Sequence, residues 1–299
     1  MHTPELLLCF EDEQALADKI AMAAGLPVAC IARHVFPDGE IKLRLPPQLP
    51  AHVVLLRSLH QPNAKLVELL LTAQTARSLG AQQLTLVAPY LAYMRQDIAF
   101  EPGEAVSQRI VGRHLADLFD AVVTIDPHLH RVATLQEAVP ATQALALTAA
   151  PLLADFVVSQ CPNALLVGPD EESAQWIQAA ATPHGLDHAV CRKVRHSDRH
   201  VDIELPDLAA TGRAVVLLDD IASSGRTLAR AAGLLLDAGA RSVDVAVTHA
   251  LFAEDALQVI QAAGVRHIWS TDAVAHSSNA VGIAGLVAEA LGRLTHPGA

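Results

Sequence analysis

Short runs of apolar residues alternate along the chain with longer stretches in which apolar residues recur at helical spacing. Six such runs stand out: HVVLLR (52–57), LTLVAPY (84–90), AVVTIDPH (121–128), NALLVGPD (163–170), AVVLLDD (214–220) and VDVAVTH (243–249). Runs that are apolar throughout indicate strands buried on both faces, and their alternation with helices indicates βαβ units. The pattern therefore predicts an α/β fold with mostly parallel sheets flanked by helices.

The two halves of the chain share a longer pattern. A segment that begins at Val53 can be laid over one that begins at Val215. In each, a strand, a turn and a helix are followed by a Gly-Ala pair, at 80–81 or 239–240, and then by a second strand. Such internal similarity predicts two tandem copies of one domain.

A linker between the copies is expected in ATQALALTAA (141–150), after the last strand of the first copy and before a helix that begins near Pro151. We therefore place the domain boundaries at 1–145 and 146–299. Each predicted domain has a mostly parallel sheet flanked by helices.

The copies differ in the turn after their first shared strand. In the second copy this strand ends on two carboxylates, Asp219 and Asp220. Two like charges are costly to bury, so we expect both at the exposed end of the strand, where parallel sheets hold their ligands. Arg57 and Ser58 occupy these positions in the first copy, so only the second copy keeps the residues of a ligand-binding turn.

The residues that follow the two carboxylates suit an anion. Ser223, Ser224 and Thr227 offer hydroxyl donors, and Gly225 permits close approach of the backbone. A helix begins here, so its first N–H groups point at the same place. The carboxylates themselves suit sugar hydroxyls or a divalent metal. The turn therefore predicts a sugar-phosphate site, and a helix-capping loop with solvated acids is the alternative.

The composition of the chain indicates which classes of binding partner to expect. The chain has 299 residues and a formal net charge of −11, with no dense run of Lys and Arg, so we expect no nucleic-acid partner. The N-terminal MHTPELLLCFEDE lacks a basic leader, and no apolar run approaches the roughly 18 residues of a membrane span. We expect a cytoplasmic protein without a membrane partner. The four cysteines lack C-x-x-C spacing and are expected to be buried, reduced thiols.

Several segments resemble, in the same order, those of the ribose-phosphate diphosphokinase (phosphoribosyl pyrophosphate synthetase) family, which has the type I phosphoribosyltransferase fold. They are FPDGEIKLRLP (36–46), PYLAYMRQDIAFEPGEAVS (89–107), TIDPHLH (124–130), VGPDEESA (167–174), the turn at 219–227 and TDAVAHSSNAVGIAGLVAEAL (271–291). The resemblance spans nearly the whole chain. Phosphoribosyltransferases share the turn, whereas RQD and FPDGE make the match more specific.

This resemblance implies a reaction. The family transfers the β,γ-diphosphoryl group of ATP to the anomeric hydroxyl of ribose 5-phosphate with Mg²⁺ and releases AMP. The carboxylates of the turn would bind sugar hydroxyls, and the residues after them would bind the 5-phosphate. The implied ribose 5-phosphate site consists of Asp219, Asp220, Ser223, Ser224, Gly225, Arg226 and Thr227.

The resemblance also implies an ATP site and a metal site. Arg95 and Gln96 match residues that contact ATP. His128 matches a residue near the triphosphate and Mg²⁺, and Asp170 matches a second residue at the metal and ribose. Taken one by one, a surface ion pair for Arg95, a buried imidazole for His128 and a helix cap for Asp170 are the alternatives.

Phe36, Asp38 and Glu40 match contacts to the adenine base that reach across a subunit boundary in this family. Phe36 would stack on adenine, and the two acids would face its polar edge. The resemblance therefore implies a homo-oligomer with a shared adenine site. By itself, FPDGE is a turn before a strand.

The segment CRKVRHSDRHVDIEL (191–205) contains one of the four lysines of the chain, Lys193. Lys193 and Arg195 alternate along an extended segment, so they point to one face, as cations that neutralise a diphosphoryl group should. The matching family positions lie on a flap that closes over the reaction, which implies that these two residues are catalytic. A solvated hairpin arm is the alternative.

The chain departs from the family at three places. Ser224 stands where the family has threonine, Arg226 follows Gly225, and Ile98 and Ala99 replace residues that are commonly basic. Ile98 and Ala99 leave open a non-catalytic regulatory paralogue that assembles with an active enzyme, although the presence of Lys193, Arg195, His128 and Asp170 argues against it. A phosphoribosyltransferase is a further alternative, although the duplicated N-terminal half argues against it.

Overall fold

The apolar runs form the strands of two separate sheets. The computed structural model describes residues 3–197, 200–206 and 209–294. Within these residues the chain divides into two compact units. One contains the described parts of Met1–Leu147 and Ile283–Ala299, and the other contains those of Thr148–Gly282.

The first unit is built on a sheet with these described strands: β1 (Leu6–Phe10), β2 (Val28–Val35), β3 (Ile41–Arg44), β4 (His52–Leu56), β5 (Gln83–Ala88), β6 (Ala121–Ile125) and β7 (Gln143–Leu147). Their order is β3-β2-β1-β4-β5-β6-β7. Only the β2–β3 pair is antiparallel among these neighbours, and the remaining pairs are parallel. The helices of this unit are α1 (Gln14–Ala24), α2 (Pro62–Ser78), α3 (Ser107–Leu118), α4 (Leu135–Ala138) and the C-terminal α9 (Ala284–Leu294).

The second unit repeats this plan. Its described sheet strands are β8 (Leu165–Gly168), β9 (His188–Val190), β12 (Ala214–Ala222), β13 (Ser242–Ala250), β14 (Val265–Thr271) and β15 (Asn279–Val281), and they are parallel in the order β15-β14-β13-β12-β8-β9. A separate antiparallel hairpin is formed by β10 (Arg192–Ser197) and β11 (His200–Glu204). The helices are α5 (Ala150–Gln160), α6 (Ala174–Ala181), α7 (Arg226–Asp237) and α8 (Ala256–Ala262).

Burial on both faces explains why the strands read as unbroken apolar runs. On β12, Val215 and Leu217 pack into a cluster on one face of the sheet. Val216 and Leu218 pack into a second cluster on the other face, because successive side chains point in opposite directions. The fold is the predicted one, an α/β fold with mostly parallel sheets flanked by helices. Within the described ranges, no helix combines the length and apolar character that crossing a membrane requires.

The structure differs from the predicted domain division in two places. The expected linker at 141–150 contains β7, which pairs with β6 at the edge of the first sheet. The division between units therefore falls after Leu147 instead of after residue 145. Helix α9, which we expected in the second domain, packs against α1 and belongs to the first unit. Its buried residues, which include Val287 and Leu291, give it an apolar stripe for this contact.

The cysteines are free thiols with unequal exposure. Cys9 and Cys191 are buried, Cys161 is half-buried and Cys30 is exposed. The prediction that all four are buried is therefore wrong for Cys30. Only Ile31 is buried on β2, near the edge of the sheet, so Cys30 meets solvent.

Candidate active site

Three carboxylates gather at the carboxyl ends of β8 and β12. The two strands are adjacent and parallel, with Val167 beside Leu217, so Asp170 follows β8 at the edge where Asp219 and Asp220 lie. Asp220 and Asp170 are only 4% and 8% exposed, and Asp219 is half-buried. The expectation that both carboxylates of β12 are exposed is wrong.

Their burial has a structural cause. Strand β12 continues past Asp220 to Ala222, and it pairs with β13 over that whole length. Burial raises the pKa of Asp219 well above its usual range, and the neighbouring carboxylates of Asp220 and Asp170 raise it further. The N–H of Asp220, which donates to Asp219 Oδ1 at 3.0 Å, acts in the opposite direction. This edge therefore suits a ligand that brings hydroxyl donors or a divalent cation.

Asp170 also holds the start of the next helical segment. Its Oδ1 accepts a hydrogen bond from the N–H of Glu172 at 3.1 Å, and its carbonyl accepts one from Ser173 Oγ at 2.6 Å. The capping role that the sequence offered as an alternative is thus present. A cap fixes the position of the carboxylate, so it is compatible with a second role at the sheet edge.

The turn between β12 and α7 depends on Gly225. This residue has a φ of 71°, and a Cβ on it would lie 2.8 Å from Ile260 Cδ1 and 2.9 Å from the carbonyl oxygen of Ala256. Within the described structure no side chain caps the start of α7 at this residue. The first N–H groups of α7 are therefore available to an anion.

The side chains of this turn differ in exposure. Ser224 and Arg226 are exposed, whereas Ser223 and Thr227 are half-buried. All seven residues of the implied ribose 5-phosphate site lie in one continuous stretch at the carboxyl edge of the second sheet, as predicted from the sequence. The stretch combines buried carboxylates with hydroxyl and N–H donors, which is the set of groups that a sugar phosphate needs.

The corresponding turn of the first unit is filled by its own side chains. Arg57 is 1% exposed, and its Nη2 lies 2.6 Å from Glu68 Oε2. Its Nη1 lies 3.1 Å from Glu13 Oε2, while Glu13 Oε1 accepts the N–H of Ser58 at 2.6 Å. These pairings occupy the place where the second unit offers donors to a ligand.

Arg95, Gln96 and His128 lie at the carboxyl edge of the first sheet. Arg95 and Gln96 follow β5, and His128 follows the adjacent parallel strand β6. The neighbouring pocket has a volume of about 490 Å³. It is lined by Tyr90, Tyr93, Arg95, Gln96, Glu104, Ala105 and Ser107.

Tyr93 and Glu104 are pocket residues to which the sequence analysis gave no role. Tyr93 adopts a left-handed φ of 65° and donates a hydrogen bond to Asn63 through its hydroxyl. Glu104 Oε2 accepts the N–H of Phe100 at 2.7 Å and faces Gln96 Nε2 at 3.4 Å, so it shapes the loop that carries Gln96. No local sequence pattern indicates the left-handed backbone of Tyr93, so this residue could be recognised only in the structure.

Phe36, Asp38 and Glu40 lie together in the tight turn between β2 and β3. The N–H of Phe36 donates to the carbonyl of Glu40 at 2.8 Å, and Asp38 Oδ1 accepts the N–H of Glu40 at 3.2 Å. All three residues are exposed. The edge of the His34 ring meets the Phe36 ring, with 4.8 Å between centroids, and Lys42 Nζ lies 6.0 Å from the Phe36 centroid.

Lys193 and Arg195 lie on β10, which pairs with β11 as an antiparallel hairpin. The predicted extended segment is therefore present. The side chains of both residues are outside the described part of the structure, so their catalytic role remains a prediction.

Two family models match the chain. A model described as the N-terminal domain of ribose phosphate pyrophosphokinase matches residues 6–118. A model described as a phosphoribosyl synthetase-associated domain matches residues 171–298.

Relatives and a solved structure match over nearly the whole chain. A ribose-phosphate pyrophosphokinase of Methanopyrus kandleri is 34% identical over 294 residues, which cover 97% of this chain and 99% of the relative. Ribose-phosphate pyrophosphokinase 1 of Archaeoglobus fulgidus is 35% identical over 280 residues, or 92% and 96% of the two chains. The crystal structure of phosphoribosylpyrophosphate synthetase from Mycobacterium smegmatis has the same fold, with a TM-score of 0.83, 24% identity and coverage of 98% of this chain and 100% of that one.

Proposed function

The chain belongs to the ribose-phosphate pyrophosphokinase family, and we propose that it transfers the diphosphoryl group of ATP to the C1 hydroxyl of ribose 5-phosphate. A bond forms between the C1 oxygen and the β-phosphorus, and the bond from that phosphorus to the oxygen it shares with the α-phosphorus breaks. AMP leaves, the hydroxyl proton is lost, and phosphoribosyl pyrophosphate is formed. The single observation that carries this proposal is the match to curated family members over 97% of the chain.

The acceptor end of the reaction is assigned to the second unit. The N–H groups at the start of α7 and the hydroxyls of Ser223, Ser224 and Thr227 would bind the 5-phosphate, with Arg226 beside them. Asp219 and Asp220 would accept hydrogen bonds from the ribose hydroxyls. The repulsion between the carboxylates, which raises the pKa of Asp219, makes hydroxyl donors favourable partners at this edge.

The donor end is assigned to the first unit. Arg95, Gln96 and His128 would bind the triphosphate, and the pocket of about 490 Å³ beside Arg95 and Gln96 offers space for part of the nucleotide. Phosphoryl transfer depends mainly on positioning and on neutralising charge, so these residues need to hold the donor and need not react with it.

Mg²⁺ is the metal that we propose for this reaction, with Asp170 and His128 as its candidate protein contacts. Asp170 fits, because Mg²⁺ prefers carboxylate oxygens and takes few protein ligands. Its interaction with Asp219 also means that a cation would reduce repulsion at this edge. His128 offers an imidazole nitrogen, which Mg²⁺ prefers less than a carboxylate oxygen. Mg²⁺ would neutralise charge on the triphosphate.

Phe36, Asp38 and Glu40 are proposed to bind adenine in a neighbouring copy, which makes the protein a homo-oligomer. Their turn follows β2, which is separated from β5 by β1 and β4. Three strand spacings, roughly 14 Å, therefore lie between this turn and the loop of Arg95 in the same chain. The exposure of all three residues supports contact with a second chain.

The test is a product assay with purified protein. With ATP, ribose 5-phosphate and Mg²⁺, we expect AMP and phosphoribosyl pyrophosphate in equal amounts, with no added base. Consumption of phosphoribosyl pyrophosphate only when a base is supplied would instead identify a phosphoribosyltransferase. Absence of both products from a protein that co-purifies with an active homologue would identify a regulatory paralogue. Either result would overturn the proposal.

A further inference from the structure

A salt bridge joins the two loops that carry the proposed ATP contacts. Arg131 Nη1 lies 2.7 Å from Asp97 Oδ1. Asp97 follows Gln96 directly, in the loop after β5, and Arg131 lies three residues after His128, in the loop after β6. The pair therefore fixes both loops to each other, although its members are 34 residues apart in the sequence.

The two charges of this pair differ in exposure. The Asp97 side chain is 2% exposed, whereas the Arg131 side chain is 52% exposed. Asp97 Oδ2 is buried and has no hydrogen-bond partner among the described residues. Arg131 therefore compensates a buried charge, and removing it would leave that carboxylate without its partner.

Arg131 has more hydrogen-bond donors than its contact with Asp97 uses. A guanidinium has five N–H groups, and in the described part of the chain the contacts of Arg131 are those of Nη1 with Asp97. The remaining N–H groups belong to a side chain that is half exposed. A guanidinium that is already held at one end loses less conformational freedom when it binds an anion at the other.

The charges of the loop after β5 favour an additional cation at this place. Between residues 95 and 104, Arg95 is the sole cationic residue, against the carboxylates of Asp97, Glu101 and Glu104. A triphosphate carries several negative charges, so these carboxylates would repel it, and a cation from another segment would favour its binding in addition to the proposed Mg²⁺. Arg131 is the cation that the structure pairs with this loop.

We propose that Arg131 is a further binding residue for the β- and γ-phosphates of ATP, presented to the ligand by the buried Asp97. Asp97 is then a positioning residue, since it acts through Arg131. This inference rests on the proposed function, because it takes ATP as the ligand of the first unit. It adds a phosphate contact to those expected at Arg95, Gln96 and His128.

The test is a binding titration that does not require turnover. Three probes are titrated by calorimetry: α,β-methylene ATP, in which the bond to be broken is replaced, inorganic tripolyphosphate and AMP. We expect Arg131→Gln to weaken binding of the first two probes about 10-fold or more, as the loss of a charge-assisted contact does. Binding of AMP, which has no β- or γ-phosphate, should change less than about twofold. Arg113→Gln, an exposed arginine on α3, is the matched control and should leave all three affinities unchanged.

A double variant separates ligand binding from a purely structural role. Arg131→Gln should lower the melting temperature, since Asp97 loses its partner, and Asp97→Asn/Arg131→Gln should recover most of that loss. If Arg131 binds phosphate, the double variant will regain stability but not affinity for tripolyphosphate. Recovery of both would show that Arg131 only compensates Asp97, and the inference would be wrong.

The outcomes also separate this inference from the proposed function. If the wild-type protein forms AMP from ATP and ribose 5-phosphate, but Arg131→Gln binds α,β-methylene ATP as tightly as wild type, the inference alone fails. If the wild-type protein binds neither triphosphate probe, the ATP site fails and the role of Arg131 fails with it. Weaker binding of AMP and tripolyphosphate to the same degree would indicate general damage to the pocket and would also count against the inference.

Discussion

Arg57 and Glu68 form a buried ion pair at the turn of the first unit. Nε and Nη2 of the arginine lie 2.8 Å and 2.6 Å from the same carboxylate oxygen, Oε2. The guanidinium also lies over the ring of Phe10, with its central carbon 4.6 Å from the ring centroid. The position that we propose for ligand binding in the second unit thus has a structural counterpart in the first, where side chains of the protein pair with one another.

Arg57→Met should lower the free energy of unfolding by about 3 to 5 kcal/mol, because Glu13 and Glu68 lose their buried cation. Among the described residues only Arg33, whose side chain is about one-third exposed, remains paired with Glu68. Chemical denaturation measures this loss. Arg77→Met is the control, since Arg77 pairs with Asp120 at 2.7 Å where both side chains are about one-third exposed. Such a surface pair contributes about 1 kcal/mol or less. Equal losses in the two variants would contradict the assignment of a special role to the buried pair.

Gly225→Ala should damage the turn before α7. The new Cβ would meet Ile260 and Ala256 in a backbone conformation that disfavours side chains, at a cost of about 1 to 3 kcal/mol. Calorimetric titration with ribose 5-phosphate should show weaker binding. Gly233→Ala, in α7 with no atom near its Cβ position, should instead stabilise the protein by about 0.5 to 1 kcal/mol. Unchanged stability and affinity in Gly225→Ala would refute this reading of the turn.

Lys65 should make the stability of the protein rise with pH above neutrality. Burial, with Arg57 nearby, lowers the pKa of Lys65 to about 8, whereas an unfolded lysine titrates near pH 10.4. Between about pH 8 and pH 10 the unfolded chain therefore binds more protons at this residue, and raising the pH favours folding. Burial lowers the pKa of the neighbouring His60 to about 4, so it stays neutral throughout this range.

Denaturation curves of wild type and Lys65→Met across that pH range measure this effect. The wild type should gain stability relative to the variant as the pH increases. Lys19→Met, which removes an exposed lysine on α1, should follow the wild type at every pH. A constant difference between wild type and Lys65→Met would show that the lysine has an ordinary pKa.

The four thiols should react in a fixed order. Cys30 is exposed and should react first with a disulfide reagent, Cys161 should follow more slowly, and Cys9 and Cys191 should react only on unfolding. Burial raises the pKa of the last two to about 12, which removes the reactive thiolate. The absorbance of the thiol released by the reagent, followed over time, measures the order of reaction. Cys30→Ser should lose the fast phase. A fast phase of unchanged amplitude in that variant would contradict the assignment.

Lys193→Ala tests the proposed role of the hairpin. If Lys193 neutralises the diphosphoryl group as it leaves AMP, the variant should lower kcat by on the order of 10²-fold and leave ATP affinity nearly unchanged. Lys193→Arg should restore activity only in part, because a planar guanidinium places its charge differently. Arg192→Ala, on the same strand, is the control. Loss of ATP affinity without loss of kcat would assign Lys193 to ground-state binding instead.

The sequence was sufficient for six of the described strands, β4, β5, β6, β8, β12 and β13, and for the second-unit turn. The run at 214–220 reads as buried because both faces of β12 are covered, and the sheet places Asp170 beside Asp219 and Asp220 at a carboxyl edge. The exposure of these acids could not be predicted from the sequence, since it depends on how far β13 continues alongside β12. The Asp97–Arg131 contact could not be predicted either, because no local pattern links two residues on separate loops.

The turns after β4 and β12 also show a feature that the sequence could not predict. The alignment of the copies places Asn63 opposite Gly225, but in the structure the left-handed residue that precedes the helix is Gln61 in the first unit and Gly225 in the second. Sequence similarity found the repeat because the strands and helices agree. It misplaced the turn by two residues because turns change length without disturbing the sheet.

The membership of α9 in the first unit bears on how the protein is made. During synthesis, residues of the second unit leave the ribosome before the helix that packs against α1 has been translated. The first unit therefore completes its packing last, although its strands are made first, and the surface of α1 that meets α9 stays uncovered until then. A recombinant fragment that ends at Leu147 would leave that surface of α1 without its partner helix.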